Sequence, residues 1–334
     1  MKHKHSSAWA GFLAIGAGML IAQGPGAGRG HMMMGRPLPD SMPSASNPIT
    51  PAKIDLGRML YYEPRLSKNN DVSCNSCHDL TTYGVDGKPV STGHLNQKGS
   101  RNSPTVYHAA GHLAQFWDGR TVDVEEQAKG PVLNPVEMAM SSAGEVEGRL
   151  RAIPGYVAAF KQAFPGDTEP VTLDNMARAI GAFERKLVTP SRWDRFLAGD
   201  RQAVTVQEMQ GRHEFMHGGC AACHSGAYVG GALFHRLGAE KPWPITTDLG
   251  RIEVTKSPTD RMVFKVPSLR NVEKTAPYFH NGKVATLEEA VHLMGEYQLG
   301  EDLTDTQVKA IVAWLRTLTG EIPYEYIKRP VLPE

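Results

Sequence analysis

The chain has 334 residues, enough for two ordinary domains, and carries 36 Lys and Arg against 35 Asp and Glu. This balance produces no overall field that favours nucleic acid or a membrane surface, so no nucleic-acid partner is expected. The first predicted element is a signal peptide over residues 1–23, in which Lys2 and Lys4 precede an apolar run at 8–22. The run is short for a membrane span, although an uncleaved anchor is the alternative.

Residues 24–50 are rich in Gly, Pro and Ser and show no helical or strand period, which predicts a flexible leader. His31 and the methionines at 32–34 have the soft ligand types that copper prefers. Nothing in the pattern orders these side chains, so an unstructured linker is the preferred interpretation.

Apolar residues at helical spacing then predict a mainly α protein with long loops and little β structure. The first helix is stopped by Pro64 and the second ends at Gly130–Pro131. The predicted helices cover residues 54–60, 123–129, 142–160 with an interruption near Pro154, 172–186, 205–217, 286–295 and 304–318. Short strands are expected at 251–254 and 262–266.

All four cysteines belong to two C-x-x-C-H segments, at 74–78 and 220–224. Such a pair alone fits a redox site, half a zinc site or a disulfide. The following histidine favours covalent haem c, because two thioethers hold the porphyrin and the adjacent imidazole becomes the proximal iron ligand. The cofactor residues are therefore Cys74, Cys77, His78, Cys220, Cys223 and His224.

The spacing of the two motifs suits one cytochrome c-like haem domain around each. We expect an N-terminal haem domain at 51–187, a C-terminal one at 188–320, and an extension at 321–334 that packs back on the N-terminal domain. Covalent haem in an exported chain indicates the bacterial periplasm.

The function depends on the sixth ligand of each iron, since a releasable ligand permits small-molecule chemistry whereas two strong ligands suit electron transfer. Spacing alone leaves two methionines open for the second haem. Met262 lies 39 residues after Cys223 and Met294 lies 71 after it.

Eight ordered motifs between about residues 50 and 325 resemble the bacterial dihaem cytochrome c peroxidases. They are CNSCHDL at 74–80, STGH at 91–94, RNSPTV at 101–106, QFWDGR at 115–120, EQAKGP at 126–131, NPVEM at 134–138, VPSLRN at 266–271 and TAPYFHNG at 275–282.

The resemblance implies that peroxide is cleaved at the N-terminal haem and that electrons enter at the C-terminal one. His94 matches the removable distal ligand of the N-terminal haem. Glu137 matches the catalytic acid–base and Gln127 a helper amide that orients peroxide by hydrogen bonding. Trp117 matches a tryptophan between the haems, as a relay or as packing.

The same resemblance selects Met294 as the C-terminal haem ligand, 14 residues after His280. It also implies a calcium ion held by the Asn102 side chain and the carbonyls of Thr275 and Pro277. The expected enzyme is a homodimeric cytochrome c peroxidase that reduces hydrogen peroxide with electrons from a small cytochrome c or cupredoxin.

Two other functions stay open. Dihaem relatives that oxidise a protein's tryptophans during quinone-cofactor maturation use tyrosine in place of the methionine ligand, and Tyr278 and Tyr297 are nearby. A dihaem electron carrier would need neither Glu137 nor a releasable ligand.

Overall fold

The computed structural model describes residues 35–334, so the predicted signal peptide and the copper alternative at 31–34 lie outside the described residues. Residues 35–334 form one compact unit. The helices are α1 (Pro51–Tyr61), α2 (Cys74–Cys77), α3 (Val124–Leu133), α4 (Ala143–Arg151), α5 (Pro154–Ala163), α6 (Leu173–Glu184), α7 (Arg192–Leu197), α8 (Val206–His217), α9 (Ile252–Thr255), α10 (Leu287–Leu293), α11 (Asp305–Arg316) and α12 (Tyr324–Ile327).

Strand content is small, as the sequence predicted. Strands β1 (Phe234–Arg236) and β2 (Val263–Lys265) pair antiparallel, and they form the one sheet of residues 35–334. The predicted strand at 251–254 is wrong, because Ile252–Thr255 is a helix. Gly250 precedes it with a φ of 71°, and this left-handed turn redirects the chain before the β-branched residues can extend.

Most predicted helices are present with small shifts at their ends. Side chains at the first position cap several of them, as Thr172 does for α6 by accepting from the Asn175 amide. The helix predicted to end at Gly130–Pro131 instead runs to Leu133. Its last carbonyls accept hydrogen bonds from the returning chain, including the Met138 amide on Pro131 and the Met140 amide on Val132. These bonds stabilise a last turn that the proline alone disfavours.

The flexible leader predicted at 24–50 is wrong from residue 35 onward. Leu38 and Met42 are buried with Val188, and the Leu38 amide donates to Asp194 at 2.8 Å. Asn47 donates to Glu125 at 2.8 Å. The turn-rich composition therefore describes an irregular but packed segment.

Each haem motif is preceded by a helix that crosses a later helix at very short distance. In the N-terminal half α1 crosses α6, and a Cβ on Gly57 would lie 1.9 Å from the Ala179 carbonyl oxygen. In the C-terminal half α8 crosses α11, and a Cβ on Gly211 would lie 1.8 Å from the Ala310 oxygen. Both crossings require glycine, and both place a C-x-x-C-H segment beside the same kind of helix pair.

Residues 321–334 contact elements of the N-terminal half. Tyr62 donates its hydroxyl hydrogen to the Ile327 carbonyl at 2.6 Å, and Tyr326 stacks on Phe183 with ring centroids 5.2 Å apart. Ile322 and Ile327 are buried in the same apolar core as α1 and α6. The division into domains at 187/188 stays a prediction.

Candidate active site

One cavity of about 920 Å³ is lined by both C-x-x-C-H segments. It has a volume at the upper end of ordinary cofactor sites. All four cysteines are free and reach this cavity, as do His78 and His224. The two motifs therefore share one continuous internal space.

The chemistry of these side chains fits haem better than zinc. Burial raises the pKa of Cys74 to about 12 and that of Cys220 to about 11, so both stay thiols, whereas zinc binds thiolates. Burial also lowers the pKa of His78, and that of His224 to about 4, which keeps both imidazoles in the neutral form that ligates iron. Within residues 35–334, no three His, Cys, Asp or Glu side chains are grouped to hold a metal ion by themselves.

The N-terminal C-x-x-C-H segment and the candidate acid–base Glu137 line the same cavity. Burial raises the pKa of Glu137, and the charge of Arg120 and a hydrogen bond from Asn134 oppose that increase. The Asn134 amide donates to Glu137 Oε1 at 2.8 Å and so orients the carboxyl group. Gln127, on α3, lines the same cavity.

His94 lies beside Glu137 through the backbone. Its amide donates to the Glu137 carbonyl at 2.8 Å, and a Cβ on Gly93 would lie 2.2 Å from the Val136 oxygen. The imidazole is buried and its Nδ1 has no partner among residues 35–334. Gly93 lines the cavity but His94 does not. The structure thus brings His94 to the edge of the site, next to the acid–base.

Trp117 lines the cavity that both C-x-x-C-H segments share. Its indole Nε1 donates to the Asn102 carbonyl at 2.9 Å, and its ring meets His280 edge-on with centroids 6.4 Å apart. The backbone amide of Asn102 in turn donates to the His280 carbonyl at 2.7 Å. Trp117 therefore joins a loop of the N-terminal half to the TAPYFHNG segment.

The structure distinguishes the two methionines that spacing left open. Met294 lines the cavity with His224, whereas Met262 is buried in a neighbouring apolar cluster and does not line it. Met294 also begins a π-helical turn, Met294–Leu299, directly after α10. Such turns occur often at functional sites.

The predicted calcium ligands all lie on the cavity wall. Asn102 is buried and its side-chain amide donates to the Lys88 carbonyl at 2.9 Å. Among residues 35–334, no hydrogen bond reaches Asn102 Oδ1 or the carbonyl oxygens of Thr275 and Pro277. Three oxygens thus remain available to a cation.

Sequence reasoning missed three side chains of this site. The charge of Arg120 lowers the pKa of the Glu137 carboxyl, although the sequence identified Arg120 only as part of the QFWDGR motif. Glu184, at the end of α6, is buried on the cavity wall, and burial raises its pKa to about 8. Lys265 is buried on β2 and also lines the cavity. No local pattern predicts the burial of Lys265, because side chains alternate along a strand, yet its neighbour Phe264 on β2 is buried as well.

Comparison with known proteins decides the family. Residues 51–202 match the family model of the di-haem cytochrome c peroxidases. A cytochrome c551 peroxidase of Pseudomonas aeruginosa is 46% identical over 304 residues, which are 89% of this chain and 87% of that protein. The chain belongs to the dihaem cytochrome c peroxidase family.

Two further relatives support this assignment. A cytochrome c551 peroxidase of Nitrosomonas europaea is 45% identical over 87% of this chain and 89% of its own length. A solved MauG-like protein associated with microbial copper homeostasis superposes with a TM-score of 0.80 and is 30% identical, covering 88% of this chain and 97% of that one. The mainly α fold, the two haem c groups and the peroxidase class of oxidoreductase follow from membership.

Proposed function

We propose that the protein is a periplasmic hydrogen-peroxide reductase that receives electrons from a small cytochrome c or cupredoxin. Electrons enter at the C-terminal haem site, and peroxide is cleaved at the N-terminal one. The observation that carries the proposal is that Glu137, Gln127 and His78 line the same cavity, with the Glu137 carboxyl oriented by Asn134.

His78 would hold the N-terminal haem iron, with His94 as its removable ligand, and His224 and Met294 would hold the C-terminal haem iron. Bound haem iron supplies peroxide activation and one-electron transfer. Glu137 then accepts a proton from peroxide at its carboxylate and returns it to the leaving oxygen. Gln127 donates its amide hydrogen to hold peroxide in place.

Several observations favour Met294 over the tyrosine ligand of the tryptophan-oxidising relatives. Tyr278 donates its hydroxyl hydrogen to the Val272 carbonyl at 3.0 Å. Tyr297 packs against Trp243, with ring centroids 5.2 Å apart, and does not line the cavity. A methionine-to-iron charge-transfer band in the oxidised protein, absent in Met294→Ala, is the expected result. Absence of this band from the wild-type protein would favour the relatives' tyrosine ligand, and a band that survives the substitution would make another methionine the ligand.

The same proposal includes a homodimeric assembly and a calcium ion bound at Asn102, Thr275 and Pro277. Three protein oxygens leave positions for water around a cation that takes six to eight ligands. No helix in residues 35–334 combines the length and apolar character needed to cross a bilayer. A periplasmic location rests on the predicted signal peptide and on covalent haem.

The decisive experiment is stepwise reduction of the holoenzyme, followed by peroxide and reduced cytochrome c. We expect one haem to gain an open coordination site once the other is reduced, and Glu137→Gln to lower peroxide turnover by about 10²- to 10⁴-fold. Glu126→Gln, at a surface carboxylate of α3, is the matched control and should retain turnover. Normal turnover in Glu137→Gln, or no peroxide-dependent oxidation at all, would contradict the proposal and favour an electron carrier.

A further inference from the structure

Lys265 is a buried cation that lacks a counterion. Its side chain lies on the cavity wall, 7% exposed, and Nζ donates to the Ala114 carbonyl at 2.8 Å. It makes no ion pair within residues 35–334. Asp118 is near, but its oxygens are bound by Arg101 and Arg120. Two of the three ammonium hydrogens thus have no acceptor from these residues.

His112 presents a second unpaired donor on the same wall. It lies two residues before Ala114 and lines the cavity, and its buried Nε2 has no hydrogen-bond partner within residues 35–334. Bonds from the Leu113 amide to Gly231 and from the Gly231 amide to Val266, each 2.8 Å, hold this segment against the end of β2. A Cβ on Gly231 would lie 2.4 Å from the imidazole, so the ring is closely packed in place.

We propose that Lys265 and His112 form a carboxylate-binding site, and that its ligand is a propionate group of one of the two haems. A buried ammonium with one neutral acceptor is unfavourable, and an anion with two oxygens supplies the missing charge and the missing acceptors. Propionates are the anionic groups that a porphyrin brings into this cavity. The inference rests on haem binding by the family and on none of the catalytic roles proposed above.

The electrostatics of the wall agree with this assignment. Burial lowers the pKa of Lys265 to about 8, which shows that burial penalises the charged form, and a nearby anion would offset that penalty. Burial, followed by the charge of Lys265, lowers the pKa of His112 well below its ordinary value. His112 is therefore neutral, and the tautomer with its hydrogen on Nε2 would donate to a carboxylate beside the ammonium.

The test uses the haem-loaded Lys265→Met variant, with Lys53→Met as the matched control. Lys53 is equally buried but is held by Asn47 and Pro48, away from the cavity. Resonance Raman bending bands of the propionates and the midpoint potential of each haem are measured. We expect the bands of one haem to shift and its reduction equilibrium constant to fall about tenfold, or about 59 mV for one electron, because a cation beside a haem favours the reduced state.

Four further variants separate this site from a structural role. Lys265→Arg should keep the wild-type potential, since the charge remains. His112→Phe should shift the same haem less, and Lys265→Met with His112→Phe should shift it by less than the sum of the two. If Lys265→Met binds fewer than two haems per chain, Lys265→Gln is measured in its place. Its side-chain amide keeps a hydrogen-bond donor on a side chain of similar length but removes the charge.

Three outcomes would overturn the proposal. The first is unchanged propionate bands and potentials in both Lys265→Met and Lys265→Gln. The second is an equal shift in the Lys53→Met control. The third is a change of the axial-ligand absorption bands in His112→Phe, which would make His112 an iron ligand instead.

Discussion

Two opposing influences act on the carboxyl group of Glu137. Burial raises its pKa, while Arg120 and Asn134 stabilise the carboxylate and reduce that increase. Arg120 itself is oriented by Asp118 and stacks over Phe116, 3.3 Å from the ring centroid. The pKa of Glu137, the proposed acid–base, thus depends on a cation that is anchored from two sides.

Removing that cation should move the pH profile of the enzyme. Arg120→Gln raises the pKa of Glu137 further, so the carboxylate that accepts the proton is lost at a higher pH on acidification. The acid limb of kcat/KM for peroxide is expected to move to higher pH. Arg120→Lys keeps the charge and should keep the wild-type limb. A limb that stays in place in Arg120→Gln would show that another group controls it.

Glu184 links protonation to stability. It is 3% exposed, and burial, with a smaller contribution from Glu125, raises its pKa to about 8. The folded protein therefore holds a proton between about pH 4.5 and 8 that the unfolded chain releases. The contribution of Glu184 to the free energy of unfolding is fully present below the pKa that this group has in the unfolded chain. It is lost as pH rises through about 8, the pKa in the folded protein.

Glu184→Gln should remove this pH dependence. We measure the free energy of unfolding of the haem-loaded protein by denaturant between pH 5 and 8. We expect it to decline less steeply with pH in the variant than in the wild type. The two slopes should differ by at most about 1.4 kcal/mol per pH unit, the limit for one proton. Glu126→Gln, at a surface carboxylate, should leave the slope as it is. An identical slope in Glu184→Gln and the wild type would mean that Glu184 is ionised in the folded state.

At the scale of elements, the two close helix crossings should be intolerant of a methyl group. Gly57→Ala and Gly211→Ala each place a Cβ against a backbone carbonyl, and the helices must separate to admit it. We expect a loss of about 1–3 kcal/mol in the free energy of unfolding for each. Gly148→Ala, within α4 and with open space around the new Cβ, should be neutral or stabilising by up to about 1 kcal/mol. Equal effects of all three changes would refute the packing argument.

At the scale of the whole molecule, the last residues join the end of the chain to its first half. Removing residues 321–334 deletes the buried Ile322 and Ile327 and the contacts with Tyr62 and Phe183. Each buried isoleucine contributes about 1.5–3 kcal/mol, so a marked fall in Tm is expected. Removing only 330–334 should lower Tm less, because Val331 is 94% exposed and the segment contributes only the partly buried Leu332 and the Pro333 carbonyl that accepts from Arg65 at 2.8 Å. An equal fall for both truncations would place the stabilisation in the last five residues.

Local sequence features predict much of the architecture. Helix α6 follows from Thr172 and the apolar stripe of Met176, Ile180 and Phe183, because capping and amphipathic spacing act within a few residues. The end of α3 differs from the prediction because its last carbonyls accept hydrogen bonds from the Met138 and Met140 amides, which follow later in the chain. The strand predicted at 251–254 is a helix because Gly250 adopts a left-handed conformation just before it.

The sequence by itself determined the covalent chemistry: adjacent cysteines and histidine specify haem attachment through local spacing, and the ordered motifs specify the family. Only the tertiary structure decided which distant side chains share the cavity. It placed Met294 rather than Met262 on the wall, set Arg120 against Glu137, and buried Lys265 beside His112. The reason is physical, since burial and charge depend on neighbours in space, and no local pattern records which residues those neighbours are.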